Sequence, residues 1–108
     1  MTLPLTASPD DAGRLWLDSL KARRFSPRTL EAYGHAFRGY VAHLAGTVSG
    51  PLTVEDVVKA SSVDLRGWMA RLRGNTPPLS ARSLAQHLSA VKAFHTWLDL
   101  HHDLPNAQ

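Results

Sequence analysis

The segment SPRTLEAYGHAFRGYVAHLA, residues 26–45, contains side chains that could carry chemistry. His35 and Arg38 are three residues apart, a spacing found in some active sites that cut DNA, and tyrosine is a potential nucleophile. Apolar residues recur here at spacings of three and four, as on an amphipathic helix: Leu30, Tyr33, Phe37, Val41 and Leu44. Such a helix places Tyr33 inward, Tyr40 at the edge of the apolar stripe, and His35 and Arg38 outward without a partnered nucleophile. We therefore expect both tyrosines to pack in the core.

No other combination of residues indicates catalysis or a metal site. His35 and His43 are eight residues apart, His101 and His102 are adjacent near the end, and no carboxylate completes a helical pair of ligands. The sequence has no cysteine, which excludes disulfides and thiolate metal sites. We predict that the chain has no catalytic residue, no metal, no cofactor and no small-molecule substrate. His95 is expected to be a packed, hydrogen-bonded core residue, and the three tryptophans are expected in the core or at a partner contact.

The composition indicates one small, mildly basic domain. The chain has 108 residues, of which 44% are hydrophobic, and 12 Lys and Arg against 9 Asp and Glu give a net charge of +3. This bias favours a nucleic-acid partner only weakly. No run approaches the roughly 20 apolar residues of a membrane span, and the N-terminus lacks the features of a signal peptide. We expect a soluble, cytoplasmic protein without a membrane partner.

Capping signals divide the chain into helices. Five potential N-caps precede stretches with helical spacing: Ser8, Ser26, Thr53, Ser61 and Ser80. No segment alternates with a period of two, so the predicted fold is all-α, a single bundle of four main helices with a possible short fifth. Residues 1–7 are expected to form a flexible tail, residues 8–101 the domain, and residues 102–108 a C-terminal tail or linker.

The last predicted helix has a polar face. Its apolar stripe is Leu84, Leu88, Val91, His95 and Leu98, and the opposite side holds Arg82, Gln86, Ser89 and Ala93, with Lys92 at its edge. Arg82 can grip a phosphate or guanine, Gln86 can pair with adenine, and the small residues would let the helix approach a DNA groove. The alternative is an ordinary solvated face that lacks acidic residues.

A second candidate surface is the helix that begins at Ser26. Its outward side carries Arg28 and His35, flanked by Glu31 and Arg38. Free backbone N–H groups beside Ser26 and Thr29 could bind a phosphate. Ordinary helix capping explains the serine equally well.

Two stretches resemble a known family. SPRTLEAYGHAFRGYVAHL is similar to the Ser-x-x-Thr-Leu-x-x-Tyr helix of the N-terminal core-binding, SAM-like domain of tyrosine recombinases, most closely the Xer-type and phage-integrase group. LSARSLAQHLSAVKAFHTWL is similar to the later Leu-Ser-x-x-Ser/Thr-x-x-x-x-Leu-Ser-Ala-x-x-x-Phe helix of that domain. The resemblance extends from about Asp10 to Pro105, and both motifs occur in order around DLRGWMARLR.

The resemblance implies one jaw of a clamp around a recombination half-site, with two helices facing the major groove. The DNA-binding positions it implies are Ser26, Arg28, Thr29, Arg82, Ser83, Gln86, His87 and Lys92. The catalytic set of the family, including a His-x-x-Arg pair and the nucleophilic tyrosine, belongs to a separate C-terminal domain. The His35 and Arg38 spacing is therefore interpreted as a coincidence, and residues 102–108 as a linker toward a catalytic domain outside this chain.

Two positions depart from the family pattern. Many Xer-type relatives have a basic residue where Gln86 stands, and they usually have Asp-Leu where Ala36 and Phe37 stand. The sequence thus predicts a duplex DNA-binding domain of a site-specific tyrosine recombinase, with protomer contacts in a synapse. The alternative is a helical protein-interaction bundle without DNA contact.

Overall fold

The computed structural model describes residues 3–74 and 79–101. Within these ranges the chain forms five α-helices and no β-strand, namely α1 (Pro9–Ala22), α2 (Pro27–Ala45), α3 (Val54–Val58), α4 (Ser62–Arg73) and α5 (Ala81–Asp99). The prediction of an all-α bundle with four main helices and a short fifth is confirmed. None of these described helices is long and apolar enough to cross a membrane.

Each helix begins at the capping residue that the sequence predicts. A side-chain oxygen accepts a hydrogen bond from the backbone N–H three residues later at Ser8, Ser26, Thr53, Ser61 and Ser80. In α3 and α4 the caps are capping boxes, because Asp56 and Asp64 accept a hydrogen bond from the backbone N–H of the cap residue. A cap of this kind contributes about 1 kcal/mol to helix stability.

The turn between α1 and α2 has an arginine in a left-handed backbone conformation. Arg24 has a φ of 65°, its N–H donates to the Lys21 carbonyl at 3.0 Å, and the Phe25 N–H donates to the Leu20 carbonyl at 3.1 Å. These two bonds form a Schellman motif, in which glycine is the usual residue at this position. Since Phe25 then packs against the core, the turn fixes the direction in which α2 starts.

Aromatic side chains form the centre of the bundle. The Phe37 and Phe94 rings meet edge to face with centroids 4.7 Å apart, and Trp16 packs edge to face on Phe94 at 5.4 Å. Tyr40 and Trp68 are also buried. The pair α2 and α5 forms the most extensive helix contact, so this aromatic cluster sets how the two candidate DNA-binding helices cross.

The departure from the family pattern at Ala36 and Phe37 is accommodated in this core. Both side chains are buried, so the positions serve packing in this chain. Trp16 and Trp68, which we expected in the core or at a partner contact, are core residues.

Residues 3–7 lie against the bundle. Leu3 is buried and its N–H donates to the carbonyl of His101, just beyond the end of α5. The Ala7 carbonyl accepts a hydrogen bond of 2.9 Å from the Val54 N–H at the start of α3. The described part of the expected N-terminal tail is therefore bonded to two parts of the bundle. Residues 102–108, the predicted tail or linker, lie outside the described residues, and the predicted domain boundaries stay predictions.

Helices α1 and α2 approach each other closely at Gly13. A Cβ atom at this position would lie 2.3 Å from Phe37 Cε2, far inside van der Waals contact. Trp16 and Phe94 hold the Phe37 ring from other sides, so the ring cannot move away without disturbing the core.

We expect Gly13→Ala to lower the free energy of unfolding by about 1–3 kcal/mol because the new methyl group overpacks the core, although alanine itself favours a helix by about 1 kcal/mol. Urea denaturation measures the effect. The matched control is Gly39→Ala on the exposed side of α2, where the nearest atom would be Trp68 Nε1 at 3.9 Å, and it should be at least as stable as the parent. A Gly13→Ala protein as stable as the control would contradict the close packing.

Candidate nucleic-acid interface

Three candidate residues, Arg82, Gln86 and Lys92, are exposed along one side of α5. The small residues Ala85 and Ser89 between them are exposed as well. Arg82 and Lys92 are about 15 Å apart along the helix axis at 1.5 Å per residue, which is about four base-pair steps of 3.4 Å. This side of α5 can therefore lie along a DNA groove with a cation near each end.

The expectation that Ala93 belongs to this exposed face is wrong. Ala93 is only partly exposed, packs against the core, and lines a groove with Trp16 and Trp97. The reason is that α1 packs against this part of α5, which a helical projection of α5 alone does not include.

Ser83 and His87 lie on a different side of α5 and are half-buried. The Ser83 N–H donates to the Ser80 side chain at 3.1 Å as part of the helix cap. His87 Nδ1 lies 2.7 Å from the Ser83 carbonyl oxygen, and because a carbonyl only accepts, Nδ1 carries the hydrogen. The second ring nitrogen, Nε2, has no hydrogen-bond partner among the described residues.

On α2, the predicted outward residues Arg28, His35 and Arg38 are exposed. At the start of the helix the Thr29 N–H donates to Ser26 Oγ at 3.1 Å, and the two hydroxyl groups are 2.9 Å apart. Capping therefore accounts for these two hydroxyl side chains. A role for either in binding phosphate stays a prediction.

The two candidate surfaces meet at a histidine pair. The rings of His35 on α2 and His87 on α5 are perpendicular, with centroids 5.9 Å apart. The structure thus brings the middle of α2 beside the first half of α5. Lys92 lies toward the far end of α5, at the rim of a cavity of 380 Å³ that Ser61 and His95 also line.

Acidic residues are unevenly distributed between the helices. The described residues form two ion pairs with each other. Arg14 pairs with Asp11 on α1, and Lys59, the C-cap residue of α3, pairs with Glu55 on α3. Six of the acidic residues lie on α1, α3 or α4: Asp10, Asp11, Asp18, Glu55, Asp56 and Asp64. On α2 the only acidic residue is Glu31, and α5 has none before Asp99. The exposed sides of α2 and α5 therefore carry few acidic residues, and α4 is basic as well, with Arg66, Arg71 and Arg73 exposed.

The two tyrosines lie among aromatic residues. Tyr33 stacks on Trp16 with centroids 5.9 Å apart. Tyr40 is 1% exposed and shares a hydrogen bond of 2.8 Å with His95 Nε2. Burial, with a contribution from the charge of Asp64, raises the pKa of Tyr40 to about 12. A buried hydroxyl with a raised pKa is a poor nucleophile, and core packing of both tyrosines, as predicted, is what the structure shows.

His95 is half-buried and shares a hydrogen bond with Tyr40, so the predicted hydrogen bond of this histidine is confirmed. Burial lowers its pKa from the ordinary value of 6.5, and the charge of Asp99 opposes this shift. The structure assembles no group of three or more potential metal ligands within residues 3–74 and 79–101. His35 and His43, considered above as ligands, extend from positions two turns apart on α2.

Gly39 and Trp68 are not among the DNA-binding residues that the sequence predicts. Gly39 is exposed in the middle of α2, and Trp68 of α4 lies behind it. A glycine inside a helix costs about 1 kcal/mol relative to alanine. That cost was the one signal in the sequence that could have drawn attention to Gly39.

Comparison with known families matches residues 14–101 to the family described as "Phage integrase, N-terminal SAM-like domain". The protein named Tyrosine recombinase XerC of Methylobacterium nodulans is 40% identical over 98 residues, which are 88% of this chain and 30% of the relative. The XerC of Rhizobium meliloti is 34% identical over 87 residues, 80% of this chain and 27% of the relative. No solved structure gives a significant match.

The fold and the match define a SAM-like helical domain. The chain belongs to the phage-integrase N-terminal domain family, in the Xer-type tyrosine recombinase group that its sequence resembles. It spans less than a third of the length of the curated relatives reported above.

The lowered pKa of His95 predicts a pH dependence of stability. The unfolded chain takes up a proton at His95 near its ordinary pKa of 6.5, whereas the folded chain resists protonation there. The contribution of neutral His95 to the free energy of unfolding is therefore fully present above pH 6.5 and is lost as the pH falls through the folded pKa. Thermal unfolding between about pH 7.5 and about pH 5 should therefore show a larger loss of stability for the parent than for His95→Gln. Parallel curves for the two proteins would contradict the lowered pKa.

Proposed function

We propose that this chain binds duplex DNA and positions a recombination half-site for strand exchange by a longer tyrosine recombinase. The observation that carries the proposal is the exposed side of α5 from Arg82 to Lys92. Within the described residues it presents two cations without acidic partners, an amide and small residues, and no acidic side chain. Membership of the integrase N-terminal domain family supports the same partner.

The side chains on this surface divide into two roles. Arg82 and Lys92 replace condensed counterions on the phosphates, and so does Arg28 near the start of α2. Gln86 presents an amide that pairs with the N6 and N7 atoms of adenine in the major groove. Phosphate contacts hold the domain in register, and the amide contributes preference for particular bases.

Catalysis by a different domain is part of this proposal. The relatives are named tyrosine recombinases, and this chain matches less than a third of their length. Tyr40 is buried and its pKa is raised, and Tyr33 is stacked on Trp16. We therefore expect this chain to form no covalent adduct with a nicked or suicide DNA substrate, and denaturing gel electrophoresis checks this.

The substitutions Arg82→Ala and Lys92→Ala test the DNA-binding surface. Each should weaken binding to duplex DNA and reduce the slope of log affinity against log salt by about 0.9, because one phosphate contact is lost. Fluorescence anisotropy over a salt series measures both quantities, and melting temperatures should not change because both side chains are exposed. Arg14→Ala is the matched control, since Arg14 pairs with Asp11 on α1.

The assignment of this surface would be overturned if Arg82→Ala and Lys92→Ala bound DNA with the same affinity and the same salt slope as the parent. Equal losses for Arg14→Ala would also contradict it, because binding would then depend only on net charge. Gln86→Ala should instead reduce the preference between a recombination-like palindrome and a scrambled duplex with little change in the salt slope.

A second candidate function, a protein-interaction bundle, rests on a different surface. Leu100 is 78% exposed beside a groove of 380 Å³ whose lining includes Phe25, Tyr33 and Trp97. Such an apolar groove fits a second protein, including a neighbouring protomer in a synapse. Sedimentation of Leu100→Ser against the parent tests it, and self-association of the parent without DNA binding at low salt would favour this function over the first.

A further inference from the structure

Three helices meet beside the exposed sides of α2 and α5. Gly39 and His35 lie one turn apart on α2, Trp68 is on α4, and His87 is on α5. The His35 and His87 rings are 5.9 Å apart, the His87 and Trp68 rings are 5.9 Å apart, and a Cβ at Gly39 would lie 3.9 Å from Trp68 Nε1. These four residues lie together where the helices meet, and we call the space in front of Gly39 and Trp68 the Gly39 notch.

The indole N–H of Trp68 is a free hydrogen-bond donor at the base of the notch. It has no hydrogen-bond partner among the described residues. The one buried side-chain nitrogen that lacks a partner in the described part of the chain is His43 Nδ1, so the Trp68 N–H is in contact with solvent although the residue is 2% exposed. The missing Cβ of Gly39 leaves open the space in front of this donor.

Tryptophan N–H groups usually have a partner when the ring is buried, because a donor taken out of water without one costs free energy. A nearly buried ring whose N–H has no partner, beside a glycine that leaves the space in front of it open, points to a ligand that accepts a hydrogen bond. His35 is exposed next to His87, whose ring lies near that of Trp68, and its imidazole can donate a second hydrogen bond to the same ligand.

The charge around the notch selects the class of ligand. Arg71 is exposed on α4, one turn beyond Gly67, which packs beside His43 of α2. Arg71 therefore lies on the edge of α4 that faces α2. It has no acidic partner within residues 3–74 and 79–101. A cation, an indole N–H and imidazoles together favour an anionic oxygen over a neutral acceptor.

We propose that the Gly39 notch binds one phosphate of the DNA backbone, with the Trp68 indole N–H donating to a phosphate oxygen and Arg71 supplying charge. This inference rests on the proposed function, and it adds a contact from α4 to the contacts of α2 and α5. It also assigns Gly39 a role, because the absent side chain allows a phosphate oxygen to reach within about 2.9 Å of the indole nitrogen.

The substitution Gly39→Ala places a methyl group in the notch without a clash, since its closest neighbour would be 3.9 Å away. The variant should fold with an unchanged or higher melting temperature and bind duplex DNA about tenfold more weakly, as expected when a charge-assisted hydrogen bond is blocked. Ala45→Ser is the matched control, because it adds one heavy atom to another exposed position of α2 and should leave the affinity unchanged.

The indole N–H signals of the ¹⁵N-labelled chain report the contact itself. Addition of duplex DNA should shift the Trp68 indole signal and leave that of Trp16, which is 1% exposed, in place. Inorganic phosphate at millimolar concentration should shift the same signal in the same direction, and DNA should compete with it.

The outcomes separate this inference from the proposed function. If backbone signals of α2 and α5 shift with DNA while the Trp68 indole signal stays in place, the chain binds DNA and the notch assignment is overturned. If Gly39→Ala binds duplex DNA as tightly as the parent, the notch assignment is overturned as well. If neither backbone nor indole signals respond to DNA at low salt, the proposed function fails together with this inference.

Discussion

The edge-to-face contact of Phe37 with Phe94, 4.7 Å between ring centroids, is the constraint on which the rest of this structure depends. It holds α2 against α5, and Trp16 closes it from the side of α1. Gly13 is required because α1 approaches the Phe37 ring too closely for any side chain. With this crossing fixed, the exposed sides of α2 and α5 keep one relative orientation, and a rigid surface can match the spacing of phosphates along a duplex without an ordering cost on binding.

The distribution of acidic residues complements that geometry. Asp56 and Asp64 complete capping boxes, and Asp11 pairs with Arg14, so these carboxylates are engaged near the starts of α1, α3 and α4. The cations Arg28, Arg82 and Lys92 then face solvent without acidic partners in the described part of the chain. Because few acids lie on α2 and α5, a net charge of only +3 is compatible with a DNA-binding surface there.

Helix starts were predictable from the sequence because each depends on a residue and its neighbour three positions later, as Ser8, Thr53 and Ser61 show. The helical periodicity correctly predicted the exposed positions of α5 except where another helix covers them. Ala93 was assigned to the exposed face wrongly because α1 packs against that part of α5. The notch at Gly39 was not predictable, since it joins residues of three helices. The periodicity of a sequence describes one helix at a time, so it does not predict which residues of different helices come into contact.

The absence of cysteine in the sequence permits the most direct test of the central claim, that the exposed sides of α2 and α5 face the duplex. A single cysteine introduced as Ser89→Cys on α5, or as Thr6→Cys in the exposed part of the N-terminal segment that bonds to α3, carries a tethered iron–EDTA group that cleaves nearby DNA. The account predicts cleavage of bound duplex from position 89 and much weaker cleavage from position 6. Equal cleavage from both positions, or cleavage from position 6 alone, would contradict it.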